Sequence, residues 1–127
     1  MKYLLDVNLL IAAILDSHTR HECADQWLAG KSLVTCPISE TGFLRIVTHP
    51  KIYGVAMPVA REALHDFIVR HNPLFLADDL NALKSPAQNS EQVTDFYLAG
   101  LAEKHQMKLA TLDTRISHRA VEVVSGI

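Results

Sequence analysis

Four acidic residues are placed where they can do chemistry. Asp6 directly follows the apolar run Lys2–Leu5, and Asp113 directly follows Lys108–Leu112. Glu40 comes after Ser39, just beyond Ser32–Cys36, and Asp95 comes after Thr94 at the opening of a helical stretch. If the apolar runs are parallel strands, two acids at strand ends and two at helix starts face one edge of the sheet. Crowded carboxylates repel, and a fold tolerates them when a divalent cation neutralises them or when some take up protons. The helix N-termini at Glu40 and Asp95 favour the ionised form. Hard oxygen donors without a Cys or His cluster suit Mg²⁺, or Mn²⁺, rather than zinc. Such ions activate water and stabilise the leaving oxygen of a phosphodiester. Singly, each acid has a plainer reading: Glu40 and Asp95 as first-turn acids, Asp6 as a helix cap, Asp113 as a turn residue. Stability alone, however, gains nothing from gathering all four at one edge.

The elements that must position these acids alternate along the chain. Strands are expected at Lys2–Leu5, Ser32–Cys36, Leu74–Ala77, Lys108–Leu112 and Val121–Val124. Between them, Leu9–Leu15 has no polar residue and predicts a helix buried on all sides, with Asn8 as its N-cap. His21, Ala24, Trp27 and Leu28 repeat at helical spacing in a second helix that Ser17 or Thr19 would cap and Gly30 ends. Ser39 is expected to cap a third helix carrying Phe43, Leu44 and Val47, Pro58 to open a fourth, and Thr94 to cap a fifth. Lys51–Met57 is expected as a loop, and Asp78–Ser90 as a loop with room for one short turn of helix. Strands separated by helices require crossover connections, so the expected fold is α/β, a three-layer α/β/α sandwich with a mainly parallel five-stranded sheet.

Composition agrees. The 127 residues are 49% hydrophobic but only 6% aromatic, so aliphatic side chains must fill the core of the one domain expected over residues 1–127. A formal charge of −2 lacks the basic excess of a nonspecific phosphate binder and argues neither for nor against a nucleic-acid partner. The apolar start is interrupted at Lys2 and Asp6, and no apolar run approaches the ~20 residues of a membrane span, so a cytoplasmic protein without a leader is expected. Cys23 and Cys36 are then expected as free thiols.

Four segments carry a resemblance: Leu4-Leu5-Asp6-Val7-Asn8-Leu9-Leu10-Ile11, Ser39-Glu40-Thr41-Gly42-Phe43-Leu44-Arg45, Val93-Thr94-Asp95-Phe96-Tyr97-Leu98-Ala99-Gly100-Leu101-Ala102 and Leu109-Ala110-Thr111-Leu112-Asp113. In this order and at these separations they resemble the signature blocks of PIN-domain proteins, most closely the VapC-type toxins, over Lys2 to Val124. The resemblance implies an Mg²⁺- or Mn²⁺-dependent endoribonuclease, a homodimer and a cognate antitoxin. On it, Asp6, Glu40, Asp95 and Asp113 coordinate metal, while Asn8 and Thr111 orient carboxylates or water. Many members carry a further acid after the last one; here Thr114-Arg115-Ile116-Ser117 follow Asp113, which puts the second metal of a pair in doubt.

Other residues weigh less. Arg45 and Arg115 are candidates for substrate phosphate, against an ordinary solvated arginine. His18 and His21 share a helical spacing without a third ligand, His105 extends an apolar stripe as a packing residue, and Trp27 suits core or a dimer interface better than base stacking. Asp78-Asp79 reads as a solvated turn. No Ser–His–Asp or Cys–His arrangement offers a protein nucleophile. Two other classes compete: an aspartate-based phosphotransfer domain, and a PIN-like RNA- or protein-binding module without catalysis. A haloacid-type phosphatase needs a second Asp where this chain has Asn8, and a receiver needs paired acids near the first strand.

Overall fold

The computed structural model describes residues 1–125. Five parallel strands form one sheet: β1 (Lys2–Leu5), β2 (Ser32–Thr35), β3 (Leu74–Phe75), β4 (Lys108–Thr111) and β5 (Val121–Val123), in the order β3-β2-β1-β4-β5. The helices are α1 (Val7–Ile14), α2 (His21–Leu28), α3 (Pro37–Val47), α4 (Met57–His71) and α5 (Val93–Lys104). After β1 the chain winds outward through β2 and β3, then returns to the other side of β1 for β4 and β5. The crevice between β1 and β4 is therefore the topological switch point, where parallel sheets place their ligands. Asp6 and Asp113 flank it.

Alternation along the central strand separates two apolar layers. Leu5 faces α1 to α4 with Leu9, Leu10, Phe43, Val47, Leu64 and Phe67, whereas Leu4 faces α5 with Leu98, Leu101, Met107 and Leu109. Helix α1 is buried from Leu9 to Ala13, as its unbroken apolar run requires. Gly42 sits where α3 meets the start of α1: a Cβ there would lie 2.6 Å from Val7 Cγ2. The missing side chain lets α3 pack against the turn that carries Asp6.

Several boundaries differ from those expected. The N-cap of α1 is Asp6 rather than Asn8, because Asp6 Oδ1 accepts the Val7 N–H at 2.8 Å. Helix α2 starts after Arg20 without a side-chain cap, so neither Ser17 nor Thr19 serves. Helix α3 begins earlier, at Pro37; Ser39 lies inside it and exchanges hydrogen bonds with the backbone N–H and C=O of Cys36. Thr94 likewise lies inside α5, which Gln92 precedes. Strand β3 stops at Phe75, and the 78–90 segment contains two short 3₁₀ turns, Ala82–Lys84 and Ser90–Gln92. Both cysteines are free thiols, Cys36 buried and Cys23 partly so.

Candidate active site

The carboxyl end of β4 organises the site through one hydroxyl. Thr111, the last residue of that strand and fully buried, donates its proton to Asp6 Oδ2 at 2.7 Å. Its oxygen accepts the Asn8 amide N–H at 3.2 Å and the Asp113 backbone N–H at 3.0 Å. One donor and two lone pairs are the whole capacity of a hydroxyl, and all are used. Asn8, freed from capping, also accepts the Leu112 N–H on its Oδ1 at 3.1 Å, which ties the first turn of α1 to the end of β4.

Asp6 is only 4% exposed. Burial pushes its carboxyl up to about 6, and the negative charges of Asp95 and Asp113 push the same way; Thr111 and the Val7 N–H oppose them. Asp95 stands in the first turn of α5 and is raised as well, first by burial and then by Asp113. Asp113 is held below the usual carboxylate range because Arg115 pairs with it: Nε–Oδ1 and Nη2–Oδ2 are both 3.1 Å, and the Arg115 N–H adds a bond to Oδ1 at 2.8 Å. Asp6 therefore feels the charges of Asp95 and Asp113, and Asp95 that of Asp113. Asp95, Asp113 and Arg115 line a cleft of about 180 Å³ together with Asn89, Glu91 and Gln92.

Glu40 lies just beyond the neighbouring strand, β2. It stands in the first turn of α3, though fourth in the helix rather than first, and its Oε2 accepts the hydroxyl of Thr35 at 2.8 Å. Thr35 ends β2 as Thr111 ends β4, so each of two strands finishes on a buried threonine that orients a carboxylate on another element. The role of Thr35 escaped the sequence reading; its signal was a threonine five residues before an acid at a strand end. Among the described residues, no three His, Cys, Asp or Glu side chains are close enough to hold a metal ion as they stand. Asp113 is paired with Arg115, and Glu40 accepts the Thr35 hydroxyl, so each of these carboxylates already has a partner. The donor set remains that of a hard cation: carboxylate oxygens without Cys or His.

The remaining candidates separate clearly. Arg45 is exposed in the last turn of α3 and makes no ion pair among the described residues. Arg115 is in the site. His21 binds the Ala12 carbonyl through Nδ1, and Nδ1 of His18 accepts the Arg20 N–H, so both serve local structure. His105 and Asp79, expected as a packing residue and a solvated turn, pair with each other at 2.9 Å, and Lys104 joins them at 3.4 Å. Trp27 packs edge-on against Tyr3, with ring centres 5.0 Å apart.

With this geometry in hand, similar proteins are informative. The solved structure of VapBC2 from Rickettsia felis bound to a DNA fragment from their promoter superposes with a TM-score of 0.60 over 91% of this chain and 90% of that one; at 13% identity it bears on the fold alone. Ribonuclease VapC38 of Mycobacterium tuberculosis is 34% identical over 121 residues, 89% of this chain and 86% of its own length. Ribonuclease VapC29 of the same species is 32% identical over 123 residues, covering 93% and 90%. The PIN domain family model matches residues 3–122, which takes in all four acids and both strand-end threonines, and the chain belongs to the PIN-domain family.

Proposed function

We propose that this protein is a metal-dependent endoribonuclease, the toxin of a toxin–antitoxin pair, with its reaction at the crevice between β1 and β4. The observation that carries the reading is Asp6: a buried carboxylate at the sheet's switch point, pushed up to about 6 with Asp95 and Asp113 acting on it. Such an arrangement costs stability, and a bound cation is what repays it. The similarity to ribonucleases named VapC, extending over most of their length, supports RNA as substrate and an antitoxin as partner. A homodimer belongs to the same proposal. Among the described residues no helix is long and apolar enough to cross a membrane.

Asp6, Asp95 and Asp113 would hold Mg²⁺ or Mn²⁺, with Glu40 as a fourth acid reached from β2. When bound, the cation supplies an acidified water and charge neutralisation at the phosphate. This chain's residues do the rest. Thr111 and Asn8 fix the Asp6 carboxylate. Asp95 and Asp113 set the negative field that orients the attacking water for displacement at phosphorus, in which one P–O bond forms and the other breaks, its oxygen taking up a proton. Arg115 lies within reach of a phosphate on the open side of the cleft. The decisive assay is RNA cleavage by pure protein with and without Mg²⁺ or Mn²⁺. Asp95→Asn should lower kcat by on the order of 100-fold or more, the loss expected when a charge placed for the reaction is removed. Undiminished cleavage would sink the mechanism. Mn²⁺ calorimetry tests the rival reading of a binding module without catalysis, in which no saturable binding occurs.

Arg115 supplies a separate prediction. Its guanidinium occupies Asp113, the carboxylate a cation needs, so metal and arginine compete. An exposed ion pair is weak, so the arginine is a mild competitor. Arg115→Ala should therefore tighten Mn²⁺ binding by up to about fivefold in calorimetry while raising the KM for RNA. Weaker Mn²⁺ binding in the variant would mean that Arg115 supports the metal site instead of competing with it.

A further inference from the structure

A second cavity adjoins the acid cleft and shares its wall. It measures about 670 Å³, within the roughly 300–1,000 Å³ of small-ligand clefts. Phe96 and Ser117 line both spaces, because Phe96 follows Asp95 on α5 and Ser117 follows Arg115 on the β4–β5 connection. Its aromatic residues are Phe96, Tyr97 and His118. The Tyr97 hydroxyl is committed to the backbone of Leu80, and the rings of Phe96 and His118 stand 6.3 Å apart at 56°. His118 Nδ1 accepts the Ala120 N–H at 3.0 Å, which leaves the ring proton on Nε2 as a donor.

Charge favours an anion. Lys84, Lys104 and Arg119 line the cavity against the single carboxylate of Glu103. Arg119 pairs with Glu103 and Lys104 with Asp79, whereas Lys84 is exposed and has no carboxylate partner among the described residues. Aromatic faces beside basic side chains, continuous with a phosphodiester-cleaving cleft, match a nucleotide of a single strand: stacking on the ring, cations on the backbone.

We propose that this cavity is a nucleotide subsite, which takes an unpaired base of the RNA flanking the scissile phosphate, on Phe96 and His118, with Lys84 on the adjoining phosphate. This rests on the ribonuclease reading of the neighbouring cleft. The test is fluorescence anisotropy of a labelled single-stranded RNA octamer in EDTA, with one base at a time replaced by an abasic sugar. One abasic position should raise the wild-type Kd about tenfold, the scale of one lost base–aromatic stack. Phe96→Ala or His118→Ala should weaken the intact octamer to a similar extent and lose the sensitivity to that position. Lys84→Ala, at an exposed position that does not endanger folding, should lower the salt slope of binding by about 0.7, the share of one phosphate contact on a single strand. If all three variants bind within twofold of wild type, or no abasic position matters, the subsite does not exist. If instead they shift the mass measured by light scattering and leave RNA affinity unchanged, the cavity is a contact between two copies and the proposal fails. Mn²⁺-dependent cleavage is read in parallel: base-dependent binding without cleavage refutes the nuclease chemistry but keeps the subsite, and cleavage with unaltered KM in the variants does the reverse.

Discussion

Asp6→Asn should make the metal-free protein more stable at neutral pH while abolishing cleavage. The folded-state value of Asp6 is about 6 against 3.8 for the free side chain, so between those values the native state binds the extra proton. Stability from this group is present below about pH 4 and is lost as pH rises through about 6. At pH 7.5 the loss is slightly more than two pKa units, about 3 kcal/mol as an upper figure. Asparagine cannot ionise, it caps helices as well as aspartate, and its amide oxygen can still accept the Val7 N–H. Urea denaturation at pH 7.5 should therefore favour the variant by about 1–3 kcal/mol, and the difference should shrink toward zero near pH 4. Adding Mg²⁺ or Mn²⁺ should reverse the order, because a ligand at 100 times its Kd adds about 2.7 kcal/mol to the protein that binds it and nothing to one that does not. Cleavage by the variant should fall by on the order of 100-fold or more. A variant less stable than wild type in EDTA at pH 7.5 would show that the buried charge is compensated within the protein and that no cation is needed to balance it.

Why the acids were legible in the sequence, and their caps were not, has a physical reason. Strands and helices here follow apolar periodicity, which the two buried layers on Leu4 and Leu5 enforce directly. Acids just beyond strand ends then fall at the edge of the sheet whatever the local caps do. Capping is a contest among neighbours that periodicity does not decide. Asp6, Asn8, Ser39 and Thr94 are all good N-cap residues, yet only Asp6 wins. Asn8 is drawn across to Thr111 and Leu112, more than 100 residues away in sequence, and Ser39 to the Cys36 backbone. Long-range hydrogen bonds of this kind leave no mark in a local pattern. The Thr35–Glu40 and Arg115–Asp113 contacts are local, five and two residues apart, but which side chain turns toward an acid is set by the folded geometry and not by spacing. The short β3 was overestimated because Leu76 and Ala77 continue its apolar composition; the paired register with β2 covers Leu74 and Phe75, and beyond it Leu76 gives a single N–H to the Thr35 carbonyl at 2.8 Å.

The threonine at the end of β4 ties these threads together, and its removal is the sharper test of how the site is held. Thr111→Val keeps the shape and deletes one donor and the oxygen that accepts two N–H groups. Asp6 Oδ2 loses its buried hydroxyl partner, and the part-buried Asp113 N–H and Asn8 amide lose an acceptor. Leaving such groups unsatisfied costs about 1–3 kcal/mol, which denaturation will read. The effect on function should be larger in kind. Hydrogen bonds from the hydroxyl lower Asp6, so without it the carboxyl rises further above 6 and ionises only at higher pH. The acidic limb of the pH–rate profile should move to higher pH, and Mn²⁺ affinity should fall about 10- to 100-fold, the range for partners that orient metal ligands. Thr111→Ser restores the hydroxyl without the methyl and should recover both the profile and the affinity, even if some packing energy is lost. A Thr111→Val protein with wild-type profile and affinity would mean that the hydroxyl serves folding alone. Recovery by serine, by contrast, requires that the proton on Thr111 be the one that keeps Asp6 available to a cation.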